Sequence, residues 1–134
     1  IRRIAEKALA KAHIEAKAAW ENGASEEEMA PVLKLIRHAQ WRWDWVAAAN
    51  GMGFHSPVEA LRVLGTSIQK AEKARGMLST ILVQKGVSIP IDFPDISTKE
   101  KAQEYIGIYI EYLIKDKEKF LEKIKDEWGP AITE

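Results

Sequence analysis

The stretch SEEEMAPVLKLIRHAQWRWDWVAAANG, residues 25–51, decides how the chain folds. Ser25 stands where a helix N-cap belongs, and Glu28 three residues later completes the capping-box pattern. Met29, Val32, Leu33 and Ile36 follow at spacings of three and four, and Trp43 and Ala47 continue the stripe. The spacing predicts a helix from Ser25 to about Ala49, ended by Asn50-Gly51. At 100° per residue, His38, Trp41 and Trp45 fall on the opposite side. Large aromatics on both faces call for cover on both faces, because a Trp ring left in water exposes roughly 150–250 Å². A four-helix domain covers one side, so the second face points to material outside this chain. The alternative is a local stacked cluster of the same residues, tied by Arg37, Arg42 and Asp44.

Working outward, the same punctuation recurs. Ala5, Ala8, Leu9, Ala12, Ala16 and Trp20 share one face of a first helix, from about Arg3 to Asn22, with Gly23 as its left-handed stop. Ser56, Pro57 and Glu59 read as the cap, first position and capping-box partner of a third helix that reaches about Lys85 and stops at Gly86. Pro90 and Pro94 stiffen a connector from Val87 to Ile96. Ser97 with Glu100 opens a fourth helix extending to about Trp128, before Gly129-Pro130. The expected fold is all-α. It is a single helical domain over residues 1–134 with four helices, two of them long, in an antiparallel bundle or hairpin arrangement.

The third helix carries Leu61, Leu64, Ile68, Ala71, Arg75, Leu78 and Leu82, a seam interrupted only by Arg75. The fourth carries Ala102, Ile106, Tyr109, Leu113, Phe120 and Ile124 in similar register. These two helices are expected to pair with each other. At 1.5 Å per residue they run to roughly 45 Å, longer than a small bundle requires, so a dimer contact is a second expectation.

Twenty basic and twenty acidic residues cancel, which removes a global pull toward nucleic acid or anionic membranes. No apolar run approaches the roughly 20 residues of a membrane span. Cysteine is absent, so disulfides, thiolate metal sites and Cys nucleophiles are excluded. A Gly-rich phosphate loop, a His-Glu-x-x-His helix and a Ser nucleophile elbow are missing too. The first residue is Ile1, already in helical pattern, so the chain is expected to be part of something longer. The lysines between Lys115 and Lys125 alternate with Glu118 and Glu122 and read as a solvated helix face.

That leaves the histidines. His13 lies in the first helix beside Ala12 and Ala16 and reads as structural. Paired with His38 across the first hairpin it would clamp a non-covalent haem, an arrangement that nothing else in the sequence supports. His55 sits in Gly51-Met52-Gly53-Phe54-His55-Ser56-Pro57, a flexible loop pinned abruptly by a helix start. That context suits a side chain donated to a neighbouring metal centre, but taken alone it favours a loop or capping histidine.

The string from Ile36 to Asp44 (Ile-Arg-His-Ala-Gln-Trp-Arg-Trp-Asp), with Asn50-Gly51 and Phe54-His55-Ser56-Pro57, resembles the C-terminal part of the ammonia-forming multihaem cytochrome c nitrite reductases. Glu59 to Leu64 and Pro94 to Gln103 extend the likeness across nearly the whole chain in matching order. The resemblance implies a periplasmic homodimer with five covalent haems that reduces nitrite to ammonium by six electrons. It implies that the long C-terminal helices contribute to the dimer interface. It also implies that His55 is the distal axial ligand of one bis-histidine, electron-transferring haem iron. The aromatic face of the second helix would then pack on the remainder of the multihaem protein. No Cys-x-x-Cys-His or Cys-x-x-Cys-Lys motif is present, so no haem c is attached to this chain. No catalytic residue carries over, and these 134 residues alone are expected to be inert. The competing expectation is a free-standing helical protein-interaction module without haem.

Overall fold

A computed structural model describes residues 1–49 and 51–129, with Met52 described by its backbone. The expected helix-stop residues Asn50 and Pro130 lie outside the described residues. All regular structure among the described residues is helical: α1 (Arg2–Glu21), α2 (Glu26–Ala48), α3 (Met52–His55), α4 (Pro57–Gln84), α5 (Lys99–Tyr105) and α6 (Ile110–Trp128). None of them is long and apolar enough to cross a membrane. The chain divides into two compact units, Ile1–Phe93 and Pro94–Glu134.

In the first unit, α4 is the helix on which the others pack. α1 presents a strip of alanines, with Ala5, Ala8, Ala12, Ala16 and Ala19 buried. Side chains this small let helix backbones approach closely. Ala12, Ala16 and Ala19 meet Met29, Val32 and Ile36 of α2 and Ala74, Leu78 and Leu82 of α4 in the main core. A second cluster joins Ala8 and Leu9 to Ala39 and Ala71, with Trp43 leaning on it. Where α2 and α4 cross, fully buried Ser67 donates its hydroxyl to the Ala39 carbonyl at 2.7 Å. The buried hydroxyl is thereby satisfied where an apolar side chain of its size would need no partner.

The start of α2 is built as expected. The Ser25 hydroxyl accepts from the Glu28 amide at 3.2 Å, and the Glu28 carboxylate accepts from the Ser25 amide at 2.7 Å. Glu28 also reaches Lys85 at the far end of α4, 3.0 Å away. The Ser25 backbone amide first, and then the Lys85 ammonium, hold its carboxyl below the ordinary value of 4.5. A depressed carboxyl contributes stability above its unfolded value and loses it as pH falls through the folded one. Glu28→Gln should therefore lower the unfolding midpoint at neutral pH. The difference from wild type should close as acid is added below about pH 4, in melts followed by circular dichroism. A constant gap across pH 3–7 would refute the assignment.

Several expectations are corrected. Ser56 takes the N-cap position of α4 as expected but makes no side-chain cap bond, and Glu59 is drawn instead to Arg62, whose Nε donates at 2.8 Å. Pro57 does take the first turn of α4. The seam of α4 is filled by α1 and α2, with Ala71, Ala74, Leu78 and Leu82 buried against them. The loop after α2 closes into the single turn of α3. Among the described residues six helices thus stand where four were expected.

The largest correction is in the second unit, where the expected fourth helix is two. The cap is Thr98, one residue after Ser97, and its hydroxyl accepts from the Lys101 amide at 3.3 Å. Asp95 receives both the Ser97 amide and the Lys101 ammonium ahead of it. Helix α5 stops after two turns because Gly107 adopts φ +75°. The Ile108 amide then bonds back to the Gln103 carbonyl at 2.8 Å and Gly107 to Glu104 at 3.0 Å. That paired return is a Schellman stop, which only glycine enters without strain. Ile110, Leu113, Ile114, Phe120 and Leu121 then line one side of α6, and all are exposed.

Candidate functional site

His55 ends α3, at the corner between α2 and α4. Its amide and that of Phe54 both bond to the Gly51 carbonyl, at 2.9 and 3.0 Å, which winds the loop into one turn. The imidazole is exposed and meets the Phe54 ring edge-on, 5.2 Å between centroids. Phe54 itself is 86% exposed. Neither imidazole nitrogen forms a hydrogen bond with the described residues. Below the turn lies a groove of about 540 Å³ bordered by Ala47, Gly53, Pro57, Leu61 and Leu64.

Gly51 positions this ring. It holds φ +73°, and a β-carbon there would stand 3.0 Å from the His55 Cδ2 and 3.4 Å from Nε2. Gly51→Ala should cost about 1–2 kcal/mol from the left-handed backbone and swing the imidazole off its seat. Backbone chemical shifts together with a thermal melt would register both. An unchanged His55 ring environment would mean that Gly51 does not support it.

The aromatic face of α2 is open, as the two-sided pattern implied. Trp41 is 64% and Trp45 41% exposed, while Trp43 is half-buried beneath the Arg2 guanidinium. His13 and His38 do not converge. His13 reaches Gln40 at 3.4 Å, whereas His38 faces Lys70 of α4. Partial withdrawal from solvent, followed by repulsion from Lys70, Arg42, Lys34 and Arg37, holds His38 below its ordinary value. No grouping of His, Asp and Glu suited to a metal ion occurs among the described residues.

One polar element escaped the sequence reading. Glu15, buried on α1, accepts two bonds from Arg75 of α4, both at 2.9 Å, and Arg75 also holds Glu72. The only trace in sequence is an arginine interrupting an apolar seam.

These features define a helical module that offers an imidazole donor at one corner and a flat aromatic face along one side. The chain belongs to the Cytochrome c552 family, whose model matches residues 1–134. It is 54% identical over 128 residues to a protein named Cytochrome c-552 from Bacteroides fragilis, covering 96% of this chain and 26% of that protein. A Cytochrome c-552 from Porphyromonas gingivalis is 47% identical over the same share of each. The chain thus spans about a quarter of the length of these relatives. A c-type haem is bonded through cysteine thioethers, and with no cysteine these 134 residues bind none covalently.

Proposed function

We propose that this chain is the C-terminal helical part of an ammonia-forming cytochrome c nitrite reductase. In that reading His55 is the distal axial ligand of one electron-transferring haem. The open face of α2 packs on the haem-bearing remainder, and the exposed apolar side of α6 takes part in a periplasmic homodimer. The observation that carries the reading is His55: an exposed imidazole whose nitrogens have no hydrogen-bond partner among the described residues, set on a one-turn helix between two long ones. Such a mounting fixes where the donor stands, with Gly51 and Phe54 setting the orientation of the ring.

A bound haem would supply one-electron transfer at this corner. The part of this chain is to hold a neutral imidazole nitrogen at the metal, the ligating form of histidine, and to shield the haem edge with Phe54 and the aromatic rings of α2. The exposed rings favour this arrangement over a module complete in itself, since each leaves apolar area that a partner would remove from water.

The native gene product, detected with an antibody against this chain, tests the proposal by intact mass and haem stain. A haem-positive polypeptide roughly four times the length of this chain is expected. A haem-free product near the chain's own 15.1 kDa would reject the proposal.

A further inference from the structure

Lys34, Arg37 and Arg42 of α2 and Lys70 of α4 stand near enough to His38 to repel its protonated form, and none of the four forms an ion pair with the described residues. In a chain with twenty basic and twenty acidic residues, this is a local excess of positive charge. It adjoins the two most exposed indoles of α2. The Arg42 guanidinium lies over the Trp41 ring, 5.9 Å from its centroid, and donates to the His38 carbonyl at 2.7 Å. Between Trp41, Arg42 and Trp45 on α2 and Glu59, Arg62 and Thr66 on α4 runs a groove of about 240 Å³, in which Glu59 is already neutralised by Arg62 and Arg42 is the cation left to meet an anion. That volume is below the roughly 300–1,000 Å³ of sites that engulf a whole ligand, so the groove suits an edge.

We propose that this face seats the carboxylate-bearing edge of a haem held by the rest of the protein, with Arg42 and Lys70 countering its propionates and Trp41 and Trp45 supporting its plane. The inference rests on the reading that this chain packs on a haem-bearing portion, and it names the chemistry of that contact. Cations alone would serve any acidic surface. The adjoining indoles, one helical turn apart, select instead a ligand that is flat and apolar with anionic groups at its rim. Arg42 has donors to spare after its bond to His38, because a guanidinium carries five, and charge-assisted bonds to carboxylates are its strongest.

The test is a spectropotentiometric titration of the haem-loaded full-length protein carrying Arg42→Gln, Lys70→Gln or both, with Lys7→Gln on α1 as the charge control. Removing positive charge beside a haem disfavours its reduced form, which carries one more electron. One midpoint should therefore move to lower potential in each variant and further in the double, while the control stays in place. Arg42→Lys should recover most of the shift. The low-spin spectrum should persist, because no axial ligand has been touched. Midpoints that all match the control would overturn the proposal, including the case where the variants only loosen packing because an acidic protein segment occupies the face. A full-length protein without haem would end this inference together with the proposed function. A His55→Ala spectral change alongside unmoved midpoints would end this inference alone.

Discussion

His55→Ala in the haem-loaded full-length protein should leave one haem five-coordinate, with its low-spin absorption replaced by a high-spin spectrum and the other haems unchanged. The expected effect is all-or-none at that iron, because the substitution deletes the donor atom itself. No other imidazole of this chain can step in: His13 is turned to Gln40 and His38 to the cations of α2 and α4. The scaffold should be nearly indifferent, since an exposed side chain away from caps and core changes stability within about 0.5 kcal/mol. Separating those two readouts is what makes the test sharp, because a melting curve that holds while the spectrum changes isolates ligation from folding. Free imidazole added to the variant should restore the low-spin spectrum by filling the vacated position. A variant whose spectrum matches wild type would remove His55 from the metal.

How much of this was legible in the sequence depended on the range of each interaction. The capping box of Ser25 and Glu28 is local, with both partners inside one turn, and it forms as read. The same pattern at Ser56 and Glu59 fails because Arg62, three residues further on, offers Glu59 a charged partner that outcompetes a backbone amide. The open side of α2 was readable because three tryptophans two residues apart cannot share one face of a helix. Gly107 was not, since a glycine inside a helix costs only about 1 kcal/mol and the apolar pattern runs straight through it. What ends α5 there is the pair of returning bonds at Gln103 and Glu104, which a one-dimensional pattern does not encode. The packing of α1 on α4 was hidden for a related reason. An alanine-lined helix carries a weak hydrophobic signal yet packs closely. His55 stood out by its family context, and the structure adds the turn and the glycine that mount it.

Arg75→Ala should destabilise the helical core by about 2–4 kcal/mol. Removing one member of a buried ion pair typically costs 3–5 kcal/mol, because the other is left charged without a partner. The Glu15 side chain is 9% exposed and that of Arg75 23%, so the arginine end retains some water and the estimate falls toward the lower end. Lys17 and Glu21, also an ion pair but 53% and 61% exposed, set the contrast. Lys17→Ala should cost less than about 1 kcal/mol, as exposed pairs do. The double change Glu15→Leu with Arg75→Leu should recover most of the loss. With both charges gone neither must be desolvated, and leucines extend the core already formed by Leu78 and Leu82. The pair is therefore better understood as setting the register of α1 against α4 than as a net source of stability. Alanine faces slide easily past one another, and a bidentate bond between Glu15 and Arg75 admits one alignment. Urea unfolding of the two singles and the double, closed as a mutant cycle, measures the coupling. A coupling energy near zero would show that water already solvates the pair. A stable double variant whose helices exchange protons faster than wild type would show that register is what the two charges provide.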